Sequence, residues 1–530
     1  MPQQLIYSTI SSSFYKFLYL VISICLALTG TTVNAQPKYE FRGVWVATVD
    51  NIDWPSSKYL SSDSQKVEFS RLLDMHQRNG MNAVIAQIRP ATDAFYPSQY
   101  EPWSEWLTGT QGHPPVPYYD PLDFMIKETH KRGMEFHAWM NPYRAEFKIG
   151  GSSIAPTHIT KLHPEWFLEY GSTKYFDPGN KDVQEFVANV VHDIVSHYDV
   201  DAIHFDDYFY PYRIAGKEFP DSVSFQRYGK GMNKENWRRS NVDSIILTLS
   251  KVIKKDNKYC KFGISPFGVW RNIDKDPDGS NTKAGQTNYD DLYADILLWL
   301  KLKWIDYVAP QLYWEFSQKV VGFATLTNWW STHTYGRQLF IGQGIYRALE
   351  SRSVAWKNSA ELPNQIKKLR EYPQIGGSIF FSSKTFSRNP NGWNDSLRNN
   401  YYRLPAIIPP MPWLDDSKPL KPEVSNIQLV NEDFANDEII INCIIKTDKQ
   451  TKPIKQYGIY FSNSKGETTT LPLYKLIPAQ NELTFAVKLI PAEWQNVFIT
   501  ITAISKTNNE SGMSKPILIQ RSGQHWLLTK

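Results

Sequence analysis

Cysteine is scarce in this chain. It occurs three times in 530 residues, as Cys25, Cys260 and Cys443. That excludes a disulfide framework and an all-cysteine zinc site. Cys25 lies in the N-terminal apolar run. Cys260 and Cys443 fall in different halves of the chain, so both are expected to be buried and reduced. Excess charge is equally lacking: 58 Lys and Arg against 53 Asp and Glu leave a net +5. With no basic stripe, a nucleic-acid partner is not expected. Long apolar runs are missing too. Residues 17–28 are too short to span a bilayer comfortably, so no transmembrane anchor is expected in the mature chain. No His-Glu-x-x-His or His-x-His pair occurs, and neither a metal nor a cofactor is predicted.

Aromatic residues, by contrast, make up 14% of the chain. They pack in cores, and they also stack on the apolar faces of sugar rings. The N-terminus has the pattern of a secretory leader. Lys16 precedes the apolar run, and Val33-Asn34-Ala35 offers a small-residue cleavage site before Gln36. Ile24 before Cys25 is too bulky for a lipid-attachment signal. The expectation is a signal peptide over 1–35 and an exported chain, in the periplasm, the cell envelope or outside.

The length implies two domains. From 36 to 402, strand-like runs at 41–49, 82–89, 134–141, 201–208, 261–269, 305–313, 338–345 and 376–382 alternate with helical ones. The helices are expected at 64–79, 121–132, 182–198, 242–255, 289–302, 323–333, 362–372 and 393–402. Eight such pairs predict a (β/α)8 TIM barrel. Residues 403–422 contain six prolines and predict a stiff linker. Residues 423–530 change to about seven short strands, near 424–430, 438–446, 456–462, 468–473, 483–489, 498–505 and 517–520. That pattern predicts an all-β sandwich of immunoglobulin or fibronectin type. It carries no carboxylate cluster, so its expected role is structural or wall-anchoring, with sugar binding open.

The chain is organised around residues 201–210, Asp-Ala-Ile-His-Phe-Asp-Asp-Tyr-Phe-Tyr. Alternation along a barrel strand turns Ile203 and Phe205 toward the helices, and Ala202, His204 and Asp206 toward the axis. Asp206 and Asp207 then stand at the C-terminal tip, where barrel enzymes keep their chemistry. The other strand tips bring Trp45 and Trp54; Gln87, Arg89 and Asp93; His137, Trp139, Asn141 and Arg144; Trp270 and Arg271; and Gln311, Tyr313 and Glu315. With His204 and Tyr208, polar groups converge at one end of an apolar barrel, as in a pocket. Each also has a plain structural reading. Arg89 and Arg144 could form rim salt bridges. Gln87, Asn141 and Gln311 could be satisfied core amides. Trp139 and Trp270 could simply pack. His137 and His204 read as interior histidines, or, with Asp206, as the centre of a metal-dependent hydrolase or deacetylase.

Five motifs together are specific: Phe41-Arg42-Gly43-Val44-Trp45-Val46-Ala47-Thr48; Asp53-Trp54-Pro55; Gln87-Ile88-Arg89-Pro90 with Asp93-Ala94; Asn141-Pro142-Tyr143-Arg144; and His204-Phe205-Asp206-Asp207-Tyr208. Over about residues 39–400 the chain resembles the glycosyl hydrolase-like 10 family. The resemblance implies a (β/α)8 barrel. It further implies an envelope glycosidase acting on peptidoglycan strands that have lost their stem peptides. A barrel that binds glycan without cleaving it is the competing expectation. Two catalytic pairings are open. In one, Asp206 and Asp207 act together on a 2-acetamido sugar, whose own acetamido oxygen attacks the anomeric carbon. Chitinase-like and O-GlcNAc-hydrolysing barrels are similar in placing close acids on the fourth strand, and Tyr313 would supply their tyrosine. In the other, Asp206 and Glu315 form a conventional carboxylate pair. Trp45, Trp54, Trp139, Tyr208 and Trp270 are the expected sugar subsites.

Overall fold

Eight parallel strands close into a barrel in the computed structural model. They are β1 (Phe41–Val46), β2 (Ala83–Arg89), β3 (Glu135–Met140), β4 (Ala202–Phe205), β5 (Lys261–Ile264), β6 (Tyr307–Val308), β7 (Gln338–Gln343) and β8 (Ile375–Phe380). Each pairs with its sequence neighbours, and β8 closes on β1 through Phe41–Gly377 to Val44–Phe380. The structure describes residues 36–530 apart from 434–437, 447–451, 465–470, 489, 491, 492, 524 and 530. The leader expected over 1–35, with Cys25, lies outside the described residues.

The alternation is as the residues dictate. Val44, Ile203 and Phe205 join the apolar layer between strands and helices. Phe41, Trp45, Ile85, Trp139, Ala202, Tyr307, Phe340 and Ile379 fill the barrel interior. Every barrel strand but β2 ends earlier than expected. β5 and β6 stop before Pro266 and Pro310, which have no N–H to give to a ladder. β4 stops at Phe205, so Asp206 and Asp207 stand on the first turn beyond it. The helix expected at 242–255 begins at Lys234, where the Asn233 side chain caps it by accepting from the N–H of Asn236. The helix expected at 289–302 is two, Asn288–Asp291 and Ile296–Lys301, broken near Tyr293 with its φ of 53°. A small antiparallel sheet (Arg144–Glu146, Phe167–Tyr170, Thr173–Phe176) follows β3 and was not foreseen.

The proline-rich stretch is not a free linker. Ile407 bonds through its backbone to Lys38 and Glu40, and Asn82 and Arg42 donate to the carbonyls of Ala406 and Leu404. Ile408 and Met411 are buried against the interior cluster of Phe41, Tyr307 and Phe340. Trp413 donates to Asp306 at 2.8 Å. The segment therefore plugs the N-terminal floor of the barrel. Apolar residues spaced between prolines favour this, because the stretch must bury side chains while presenting few backbone donors.

Beyond it, eight strands among the described residues form two antiparallel sheets. One is β9 (Glu423–Asp433), β10 (Glu438–Lys446) and β13 (Glu482–Val487). The other runs β12 (Lys475–Pro478), β11 (Ile454–Ser462), β14 (Asn496–Ser505), β15 (Ile517–Ser522) and β16 (His525–Thr529). Both contribute to one core of Ile441, Cys443, Phe485, Ile499, Ile501 and Trp526. The strand expected at 468–473 falls partly outside the described residues. Cys260 and Cys443 are free and buried. Residues 38–530 form one compact unit. No helix among the described residues is long and apolar enough to cross a membrane.

Candidate active site

A cavity of about 380 Å³ opens at the C-terminal end of the barrel. Its lining includes Trp45, Gln87, Trp139, Arg144, Asp206, Asp207, Tyr208, Gln311 and Tyr313. Nine of the residues expected to serve the site therefore meet in one pocket.

Asp206 sits at the centre of a set of donors. Trp139 donates its indole N–H to Oδ2 at 3.1 Å. The Asn141 amide reaches both oxygens, at 3.3 and 3.1 Å. The backbone N–H of Tyr208 donates to Oδ1 at 3.3 Å. Arg144 lies over the Tyr208 ring, 4.9 Å from its centroid, and its charge favours the carboxylate. Burial raises the Asp206 pKa above the ordinary value, and Arg144 and these donors oppose that rise.

Asp207 is placed differently. Burial pushes its pKa up to about 7, and the charge of Asp206 adds to the effect. Tyr212 donates its hydroxyl to Oδ2 and, with Gln311, pulls the other way. Two adjacent carboxyls thus differ in environment: one is surrounded by donors and a cation, the other is desolvated beside a negative neighbour. At neutral pH Asp207 carries a proton for an appreciable fraction of the time.

Around the pair the wall is aromatic. Tyr313 stacks on Phe381 at 5.9 Å and meets Tyr346 edge-on. Burial holds the Tyr313 hydroxyl well above its ordinary pKa, with the charges of Asp207 and Asp206 among the contributors, so it is a donor and not a base. The Gln87 side-chain oxygen accepts from the N–H groups of Thr48 and Val49, at 3.1 and 3.0 Å, which fixes it in the wall. Gln311 donates to the carbonyl of Ser265 at 2.9 Å.

The remaining expected residues lie elsewhere. Trp54 is fully buried, packed edge-on against Phe69 and bonded to the carbonyl of Gln65, so it has no face for a sugar. Arg89 forms a buried bidentate pair with Glu101. Asp93 accepts from the Ala91 N–H and the Gln111 amide beneath the surface. Asn141 is a buried support for Asp206 and does not line the pocket. Trp270 stacks on Trp329 and meets Tyr289 edge-on. Arg271 is held by Asp290 and Asp276. Glu315 accepts from the Ser353 hydroxyl at 3.0 Å and does not line the pocket.

His137 and His204 stand on the barrel axis below the pocket, and the hydroxyl of Tyr307 lies between them at 2.8 and 2.9 Å. Their other ring nitrogens face Glu135, or Trp45 and Ser265. Neither ring has a lone pair free for a cation shared with Asp206. Among the described residues, no group of three or more His, Cys, Asp or Glu is arranged to hold a metal.

Sequence reasoning missed Tyr212, Phe147 and Phe381. Tyr212 belongs to the aromatic run after Asp207, and the turn at Pro211 that brings it back had no distinctive signature. Phe147 directly follows the first strand of the unforeseen small sheet.

Residues 40–361 match the model of the glycosyl hydrolase-like 10 family. The chain belongs to that family. It is 43% identical over 509 residues to the glycosyl hydrolase YngK of Bacillus subtilis (strain 168), covering 95% of this chain and 98% of that relative. It is 36% identical over 378 residues to the glycosyl hydrolase DigH of Escherichia coli (strain K12), covering 66% of this chain and 84% of that relative. Among solved structures, the glycoside hydrolase domain of PgaB (BpsB) from Bordetella bronchiseptica aligns with 69% of this chain and 99% of its own, at 14% identity and a TM-score of 0.43. The chain is a glycosyl hydrolase by family, and the cavity at the strand tips is its candidate active site.

Proposed function

We infer that this enzyme is exported and cleaves glycosidic bonds between 2-acetamido sugars, in peptidoglycan glycan strands stripped of stem peptides. The observation that carries the mechanism is the unequal environment of Asp206 and Asp207. A desolvated carboxyl with a pKa of about 7 suits a general acid near neutrality. A neighbouring carboxylate fixed by Trp139 and Asn141 suits a group that orients and polarises the substrate.

In this reading Asp206 accepts the acetamido N–H of the sugar, so that the acetamido oxygen attacks the anomeric carbon. Asp207 gives its proton to the departing glycosidic oxygen. The cyclised intermediate then opens to water, with Asp207 now acting as base. Tyr313 donates its hydroxyl toward the acetamido group, and Trp45, Trp139 and Tyr208 form part of the cavity wall against which the sugar lies. Glu315 is spent on Ser353, which weighs against its pairing with Asp206. The C-terminal sheets keep the protein at the envelope.

Digestion of purified glycan strands, with and without stem peptides, tests the substrate. Release of new reducing ends from the peptide-free strands is expected. Cleavage of peptide-bearing strands at an equal rate, or of neither, would overturn the assignment.

A further inference from the structure

The barrel axis carries a chain of hydrogen bonds whose direction is fixed at both ends. Trp45 lines the pocket, and its indole N–H can only donate. It points at Nε2 of His204, 3.3 Å away. Nε2 must therefore be unprotonated, and the Ser265 hydroxyl, 2.9 Å away, shares its one lone pair with the indole. Burial holds the His204 pKa well below its ordinary value, so the ring is neutral and its one proton sits on Nδ1. That N–H donates to the Tyr307 oxygen at 2.9 Å. Tyr307 in turn donates to Nδ1 of His137 at 2.8 Å. The His137 proton is thereby placed on Nε2, which donates to Oε2 of Glu135 at 3.0 Å. The chain ends on a carboxylate, which only accepts.

Glu135 is fully buried at the barrel floor. Burial alone would raise its pKa, but Lys261 and Lys455 outweigh that and keep it ionised. Its Oε1 accepts from Lys261 at 2.8 Å, Lys455 at 3.0 Å and Asn508 at 3.0 Å. Lys261 is on β5 of the barrel. Lys455 is on β11 of the C-terminal sheets, and Asn508 follows β14. Two of the three donors to Oε1 therefore come from outside the barrel.

We propose that Lys455 and Asn508 are positioning residues for the active site, acting through Glu135, His137, Tyr307 and His204 on the indole of Trp45. The proposal rests on the reading of the pocket as the glycan site. Its mechanism is steric and directional, and no proton need travel. An ionised, fully bonded Glu135 selects one tautomer of each histidine, and that selection gives Trp45 its acceptor. The C-terminal sheets thus complete the floor on which the site is built. Gly263 serves the same device, because a Cβ there would overlap the Tyr307 ring.

The test is ring-nitrogen NMR of the full-length protein labelled at histidine, with kcat/KM measured on the same samples. The native protein is expected to show His204 protonated only on Nδ1 and His137 only on Nε2. In Lys455→Met/Asn508→Leu both rings should lose that single pattern, and kcat/KM should fall by about ten- to a hundredfold. Lys455→Arg, alone, should retain both. Should the double variant not fold, Tyr307→Phe removes a single oxygen and must disturb both rings in the same way. A native His204 protonated on Nε2 would overturn the proposal. So would unchanged ring patterns in the double variant or in Tyr307→Phe. The NMR readout needs no substrate, so a wrong choice of glycan would leave it standing, whereas unaltered tautomers would defeat the proposal alone.

Discussion

The side-chain amide of Asn141 reaches both oxygens of Asp206, at 3.3 and 3.1 Å, from the strand beside it. Asn141 also accepts from the N–H of Arg144 at 2.8 Å, so one side chain ties together the anion and the residue bearing the nearest cation. Asp206→Asn should lower kcat on peptide-free strands by about 10²–10⁴-fold, the usual weight of an acid–base group. Asn141→Ala should cost less, since Trp139 and the Tyr208 N–H remain. Initial rates of reducing-end release check both. Equal losses would mean that Asn141 itself contacts the substrate.

The Asp207 carboxyl must be protonated to act as the acid. Activity should therefore fall as pH rises through about 7. Tyr212 donates to this carboxyl and favours its ionised form. Removing that bond in Tyr212→Phe should raise the Asp207 pKa and carry the alkaline limb of the kcat/KM profile upward. A limb that moves downward would assign Asp207 a different role.

Asp207 should also cost the protein stability. Its pKa is about 7 in the folded state against 3.8 ordinarily, so the unfolded chain ionises first as pH rises. The native state is unpenalised below about pH 4, and the penalty grows until pH passes about 7. It then amounts to something on the order of 4 kcal/mol. Asp207→Asn should accordingly melt at a higher temperature than the native protein at about pH 8, and at nearly the same temperature at about pH 4. Thermal unfolding followed by circular dichroism measures the difference. A variant less stable at the higher pH would contradict the burial argument.

The plug under the barrel sets where the chain can be shortened. A chain ending at Pro405 loses Ile408 and Met411 and opens the interior beneath Phe41 and Phe340. Each of these apolar side chains contributes about 1.5–3 kcal/mol when buried. Such a chain should be insoluble or melt many degrees lower. A chain that stays folded and active after this cut would show the plug to be dispensable.

How much of this was legible in the sequence depends on the range of the interaction. The eight strands are local events, and alternation along the fourth placed Asp206 inward and Ile203 outward, while Trp45 was read as a residue of a strand tip. Trp54 and Arg89 carried the same signal, a polar or aromatic residue near a strand tip. Only the fold shows that one packs on Phe69 and the other pairs with Glu101, twelve residues on. The prolines of 403–422 were read as a linker because composition does not reveal what a segment packs against. Glu135 drew no notice, since its partners Lys455 and Asn508 lie more than 300 residues away. Tyr212 is five residues from Asp207, yet its contact depends on how the loop turns at Pro211.

In the proposed mechanism the substrate's acetamido group, and no protein carboxylate, attacks the anomeric carbon. This step is tested most directly by the intact mass of the protein quenched during turnover on peptide-free strands, followed by peptide mapping. An unmodified chain is expected at every time point. A sugar ester on Asp206 would contradict it and would leave a conventional two-carboxylate mechanism in its place.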